Sequence, residues 1–321
     1  MHAIVIDRFG GPEVAVWTET DRPTPAPTQV LVQVNVSGLN FMDAHQLGGG
    51  TPIQAPFVAG VEGVGVIVEV GADVSDLKVG QRVGWHSGGQ GSFAEFTAVE
   101  AGRAIPIPDE VDDETATALL LQGTTAHYLA TDAYAVQDGD PVIVHAAAGG
   151  VGVLLTQVAK LRGGTVIGTV STEEKAEVAR AAGADHVLFY DGFSDRAREL
   201  TGGEGVAAVY DSVGADTFDG GLAALRERGR LVVYGGASGP VPPLDLSRLT
   251  FGGSLSVTST MVVHFTRTTE ELRRRAADLF AWVASGELTV NIGARYPVSE
   301  AGAAIAAIKS RNSTGKVLLT H

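Results

Sequence analysis

Through Gln29–Ser37 (QVLVQVNVS) apolar and polar residues alternate with a period of two, as in a strand with one face buried. Gly63–Val70, Gln81–Trp85 and Ser92–Val99 are further valine-rich or alternating segments bounded by glycine or serine. They predict a compact, β-rich domain over the first hundred or so residues. Near Asp112 the pattern changes, and Asp113–Asp132 has helical composition, interrupted by Gly123. Strands are then predicted at Pro141–His145, Thr165–Val170, His186–Phe189, Val206–Asp211 and Arg230–Tyr234. Helices are predicted between them, at Gly150–Arg162, Glu173–Ala182, Ser194–Thr201 and Phe218–Leu225. Such alternation implies a parallel sheet covered by helices on both faces. After Pro243 come a strand candidate, Ser254–Thr260, an amphipathic helix, Glu270–Ser285, a helix at Glu300–Lys309 and a last strand, Gly315–Thr320. These do not continue the alternation and are expected to return to the first domain. The expected division is 1–118 and 261–321 for a catalytic domain and 119–260 for a dinucleotide-binding domain.

Length and composition agree with two domains: 321 residues, of which 45% are apolar, supply two cores. The net charge of -14 disfavours nucleic acid, whose phosphates require Lys and Arg, and an anionic membrane surface. Cysteine is absent, which removes disulfides, thiol catalysis and thiolate metal ligands together. The N-terminus, MHAIVIDRFGG, lacks the pattern of a secretory signal, and no window reaches the roughly 18 uncharged apolar residues of a spanning helix. A soluble, cytoplasmic protein is expected.

The most informative segment follows the strand at 141–145. Ala146-Ala147-Ala148-Gly149-Gly150-Val151-Gly152 runs directly into a helix. Against the pattern G-x-G-x-x-G, Ala147 stands at the first glycine, Gly149 at the second and Gly152 at the third. The middle glycine admits a pyrophosphate to the backbone and the third admits close helix–strand packing, while the helix N-terminus offers free N–H groups. Ala148, Gly149, Gly150 and Val151 are therefore the candidate phosphate-binding positions. A glycine-rich tight turn without ligand is the alternative, and the strand-before, helix-after context argues against it.

The next strand bears on the cofactor. An NAD site places Asp or Glu about 20 residues past the loop, on the ribose hydroxyls. Here the strand ends in Val170-Ser171-Thr172, with no acid at its tip. Ser171, Lys175 and Tyr190 together are candidates to hold a 2′-phosphate, so NADPH is the expected cofactor. Glu173 and Glu174 oppose this unless they point outward at the helix start. A solvated surface lysine is the other reading of Lys175.

SGLNFMD (Ser37–Asp43), AGVEGVGVIVEVG (Ala59–Gly71), VGQRV (Val79–Val83), LQGTTAHYL (Leu121–Leu129), HAAAGGVG (His145–Gly152) and AGADHV (Ala181–Val187) occur in that order. With these segments the chain resembles the medium-chain dehydrogenase/reductase superfamily, in its zinc-independent quinone oxidoreductase branch, over nearly its whole length. The resemblance implies an α/β protein with a Rossmann-type doubly wound parallel sheet and a β-rich, GroES-like catalytic domain, with the site in the cleft between them. Zinc members carry a Cys near the start of the chain and a Gly-His-Glu further on. Asn40 holds the Cys place here and Val61 replaces the His, leaving Gly60 and Glu62. Two of the matching positions cannot ligate zinc in the usual way, and no metal site is expected.

The resemblance also assigns site residues. It places Asn40 beside the nicotinamide ribose and the substrate, where its amide is read as a donor to a developing enolate or quinol oxygen; a turn-satisfying Asn is the alternative. Thr125 matches a position contacting the nicotinamide portion, unless its hydroxyl bonds back into its own helix. Related reductases often carry tyrosines just after the SGLNFMD-like run. None occurs here, and Gln46 is the candidate replacement donor, a surface position being its alternative. Gly235 and Ser238 in YGGAS are expected to face the nicotinamide end, and Val213 in SVG to border the adenosine. Arg311 matches an arginine that reaches the cofactor phosphates; an exposed loop arginine is the other reading.

The function expected is reduction of a quinone or an α,β-unsaturated carbonyl by NADPH without zinc. Alternatives are a zinc-free reductase of enoyl or polyketide-type substrates and a non-enzymatic NADPH-binding redox sensor. Gly253–Val263 has strand propensity, no lysine and no proline, and is expected at the edge of the cofactor sheet, where, as the resemblance also implies, it would join two copies into a homodimer; an edge covered by the chain's own helix, Glu270–Ser285, is the alternative.

Overall fold

The computed structural model describes residues 1–87, 89–310 and 313–321. The chain divides into two compact units. The first comprises Met1–Leu121, Thr266–Gly286 and Val290–His321, the second Gln122–Phe265 with Glu287–Thr289. The boundaries expected at 118 and 260 compare with the observed breaks after Leu121 and Phe265.

In the second unit six strands form one sheet in the order His186–Phe189, Thr165–Val170, Pro141–His145, Val206–Asp211, Leu225–Val233, Ser256–Ser259. All neighbours are parallel. Numbered along this unit the order is 3-2-1-4-5-6, that of a Rossmann dinucleotide-binding sheet. Its central strands are buried throughout, with Val142, Ile143, Val144 and Val206–Asp211 at most 1% exposed. That is why they read as continuous apolar runs without alternation. The chain reverses direction of build between the strands at 141–145 and 206–211, so their carboxyl ends flank the ligand crevice of such a sheet.

The first unit is built on a seven-stranded sheet. Its spine is Gln29–Leu39, paired antiparallel with Glu62–Val70 on one side and with the C-terminal strand Lys316–Thr320 on the other. Ile292–Pro297 extends it beyond the C-terminal strand. A smaller sheet joins Val16–Glu19, His2–Ile6 and Phe57–Val58. The helix Thr269–Ala284 also belongs to this unit; Thr268 caps it through a hydroxyl that accepts from Glu271 N at 3.1 Å. The stripe Leu272, Ala276, Leu279 and Phe280 is its buried face.

Several elements differ from expectation. The helix from Asp113 is α-helical to Tyr128 and continues as a single π-type turn, Leu129–Ala133. The strand expected at Arg230–Tyr234 begins at Leu225, its first half hidden in the polar run Arg226-Glu227-Arg228. The edge strand expected over Gly253–Val263 is four residues, Ser256–Ser259. Gly253 and Ser254 take φ of 116° and 57°, which breaks extended backbone before it, and Val262–Phe265 is a 3-10 turn after it. A short helix, Phe41–Leu47, follows Asn40 where no element was expected.

Candidate active site

The loop after the first strand of the second unit carries the strain of a built site. Ala146 sits at φ 51°, a left-handed conformation that costs a non-glycine residue roughly 1 kcal/mol or more. Its carbonyl accepts from Gly149 N at 2.8 Å, closing the turn, and its N–H donates to the Tyr190 hydroxyl at 3.1 Å. Gly149 is the N-cap of the helix Gly150–Leu161. A Cβ on Gly149 would touch a single atom, at 3.2 Å, so its outer face is open. A Cβ on Gly152 would lie 2.2 Å from Ala146 O and 2.8 Å from the Cα of Ala147, so only glycine allows the helix to start this close to the strand. The first N–H groups of the helix, at Gly150–Gly152, have no intrahelical acceptor, and the helix dipole adds to them. An anion fits this cradle. Ala148 lies buried in the loop, and Val151 is half-buried in the first helical turn.

At the tip of the next strand Lys175 Nζ donates to Ser171 Oγ at 3.2 Å. Thr172 caps the following helix by accepting Lys175 N at 3.3 Å. Glu173 is held by Arg180 at 2.6 Å, on the exposed face of that helix. Tyr190 belongs to the loop anchor as well as to this neighbourhood, since its hydroxyl holds Ala146 N.

The other crevice loops are tied together. Asp211, fully buried, accepts from Val213 N at 2.7 Å, Gly214 N at 3.0 Å and Thr217 Oγ1 at 2.9 Å. Ser238 donates through both N and Oγ to the Val213 carbonyl, at 2.8 and 2.7 Å. Gly235 packs on Ser212, where a Cβ would meet Ser212 O at 2.9 Å. Thr125 is half-buried on the helix Asp113–Tyr128. Beneath the crevice His145 is buried, bonded to Thr169 Oγ1 at 2.7 Å, and burial lowers its pKa to about 4, so its ring is neutral. Arg311 lies outside the described residues.

In the first unit Asn40 ends the spine strand and opens the short helix. Its backbone N–H donates to Asp43 Oδ2 at 2.7 Å. Its side-chain nitrogen donates to Glu62 Oε2 at 2.9 Å and to the Gly38 carbonyl at 3.1 Å. Its side-chain oxygen accepts from Lys316 Nζ at 2.8 Å. Lys316 is also paired with Glu62 at 2.5 Å, and Glu62 Oε1 accepts Leu121 N at 2.7 Å. Both amide protons of Asn40 are thus engaged inside the protein, which corrects the expectation of a free donor. Gln46 is buried with its Oε1 unpartnered among the described residues, so the surface alternative for it does not hold. Asp43 is buried, and desolvation raises its pKa to about 7 against the Asn40 N–H, which lowers it. His86, opposite Glu62 across the paired strands, is buried and neutral; desolvation and then Arg103 lower its pKa to about 3.

Two family models match the chain: an alcohol dehydrogenase GroES-like domain over residues 26–109 and a zinc-binding dehydrogenase domain over residues 150–282. A quinone oxidoreductase of Pseudomonas aeruginosa is 37% identical over 314 residues, 97% of each chain. A 2-haloacrylate reductase of a Burkholderia species is 38% identical over 326 residues, 99% of this chain and 98% of that one. The chain belongs to the medium-chain dehydrogenase/reductase superfamily, in its quinone oxidoreductase branch. Among solved structures, a mycobacterial protein complexed with NADPH is 44% identical and superposes with a TM-score of 0.96, covering 100% of both chains. One family model is named for zinc, yet in this member of the superfamily Glu62 is bound by the ammonium group of Lys316.

Sequence reasoning missed Lys316, Asp43, Asp211 and Glu62 as hydrogen-bonding parts of these sites. Lys316 read as one residue of a final strand; only its charge at the head of the apolar run Val317-Leu318-Leu319 set it apart. Among the described residues no group of three or more His, Asp and Glu is placed to hold a metal ion, and no helix is long and apolar enough to cross a membrane.

Proposed function

We propose that this protein is a cytoplasmic reductase that transfers hydride from NADPH to a quinone or to the alkene of an α,β-unsaturated carbonyl, without zinc. The observation that carries the reading is the pairing of Lys175 with Ser171 at an acid-free strand tip, beside a glycine cradle open to an anion. A fixed cation there suits a 2′-phosphate, and the missing carboxylate removes the usual partner of an unphosphorylated ribose. The names of the relatives, quinone oxidoreductase and 2-haloacrylate reductase, both describe reduction of a conjugated acceptor. Bound NADPH supplies the hydride; the acceptor gains in addition one proton, from solvent. The chain's own part is to bind and orient: helix N–H groups at 150–152 and Lys175 hold phosphates, and Gly235, Ser238 and Val213 form the rigid rim. Thr125 and Asn40 serve the nicotinamide end and the acceptor. The test is nicotinamide absorbance with a panel of quinones, enones and enoyl thioesters. Consumption with none of them, despite tight NADPH binding, would leave a redox sensor and refute the enzyme.

A homodimer is proposed on a separate observation. Ser256–Ser259 pairs with Leu225–Val233 and ends the sheet. Thr260 N donates to Val233 O, so by alternation the backbone groups of Thr258 and Thr260 face inward and those of Val257 and Ser259 face outward. Phe251 and Leu246, on the same edge segment, are 88% and 72% exposed. Unpaired strand groups beside large exposed apolar side chains suit a second copy of this chain across a two-fold axis.

A further inference from the structure

Lys316 opens the last strand and is 1% exposed; Glu62 is 0% exposed and Asn40 7%. A buried ammonium group and a buried carboxylate are tolerated only when each is paired and hydrogen-bonded. Here the space they share is made by Gly38, where a Cβ would fall 2.2 Å from Glu62 Oε2 and 2.8 Å from Lys316 Cε. The glycine of Ser37-Gly38-Leu39-Asn40 is thus required by the ion pair.

The pair leaves Asn40 no freedom. Turning its amide over would set the NH2 group against the Lys316 ammonium and the oxygen against the Glu62 carboxylate, both repulsive. The nitrogen has two protons, and both are spent, on Glu62 Oε2 and Gly38 O. The first lone pair of Oδ1 is taken by Lys316, and the Asp43 N–H, the capping-box partner of this side chain, donates to the Asn40 carbonyl at 3.1 Å, which leaves the second lone pair of Oδ1.

We propose that Lys316, with Glu62 as counter-ion, is the positioning residue of the reduction site: it clamps Asn40 so that the amide offers its oxygen to a hydroxyl group of the bound cofactor or substrate, and no N–H to a carbonyl. The Lys316 charge also polarises that amide. This rests on the reductase reading above.

The test uses the full-length protein and the variants Lys316→Met, Glu62→Gln and the two combined. Each single change leaves one buried charge unpaired and lowers the melting temperature. The double change leaves none, so its melting temperature recovers most of the loss. Turnover in the double variant stays at least tenfold below wild type, because Asn40 is no longer held. If the hydroxyl belongs to the cofactor, the NADPH dissociation constant rises at least fivefold; if it belongs to the substrate, that constant is unchanged and kcat/KM for the acceptor falls. A folded double variant with wild-type turnover overturns the proposal.

A second measurement needs no activity and no variant that must fold. The chain has four asparagines, Asn35, Asn40, Asn291 and Asn312. With 15N-asparagine labelling, the Asn40 side-chain protons should exchange with water at least a hundredfold more slowly than those of an exposed asparagine. Exchange as fast as an exposed asparagine refutes the clamp. If the wild-type protein reduces no acceptor, the reductase reading fails, and amide exchange still decides whether the clamp exists.

Discussion

Asp43→Asn should stabilise this protein above neutral pH and do little in acid. Asp43 is 1% exposed, one oxygen takes the Asn40 N–H and the other has no partner among the described residues. Desolvation is the largest influence on it; Glu62 adds to the rise and Lys316 opposes it. Its pKa goes from 3.8 in the open chain to about 7 in the fold. Below pH 4 it is protonated in both states and costs nothing. Between pH 4 and 7 the folded state keeps a proton that the unfolded state has lost, so stability falls as pH rises. Above pH 7 both states are ionised and the folded protein bears the whole cost. At ~1.4 kcal/mol per unit, a shift of about three units amounts to roughly 4 kcal/mol. Asparagine has the shape of the neutral acid and never ionises. The melting-temperature difference between variant and wild type should therefore widen from pH 4.5 to pH 8 by something on the order of 5–10 °C. Taking the difference is essential. Buried His86 and His145, with pKa values lowered to about 3 and 4 from 6.5, pull the other way. They bind protons in the unfolded chain first, so they destabilise both proteins equally as pH falls below 6.5. A difference constant between pH 4.5 and 8 would refute the raised Asp43.

Lys175→Ala should weaken NADPH roughly tenfold and leave NADH nearly unchanged, a modest effect because the lysine is partly solvated; titrations of both cofactors check it, and equal losses would sink the 2′-phosphate role. Turnover should survive prolonged chelation, because Glu62 already has a cation in Lys316; elemental analysis with a stoichiometric metal, and loss of activity in chelator, would show the opposite. Ser259→Pro removes a backbone donor that faces outward from the sheet edge, so it should lower the solution mass from dimer to monomer while the fold persists. Thr258→Pro instead strikes the bond to the neighbouring strand and should cost stability. An unchanged dimer in a folded Ser259 variant refutes this interface, and a wild-type monomer refutes the dimer.

Local periodicity alone was enough to bound four of the six strands of the cofactor sheet. Its first four strands are short apolar runs between amphipathic helices, so Pro141–His145, Thr165–Val170, His186–Phe189 and Val206–Asp211 could be bounded to the residue, although Val206–Asp211 pairs with Pro141–His145 and not with the strand before it. The glycine loop was legible for the same reason, since its chemistry is confined to seven consecutive residues, Ala146–Gly152. What the sequence did not carry is the outcome of distant encounters. Asn40, Glu62 and Lys316 meet because the last strand pairs antiparallel with the spine, Leu318 opposite Gly38, across almost the whole chain length. Whether an amide is donor or acceptor, and whether Asp43 is charged, depends on which groups surround it once water is gone. Burial and partners set both, and only the tertiary structure supplies them.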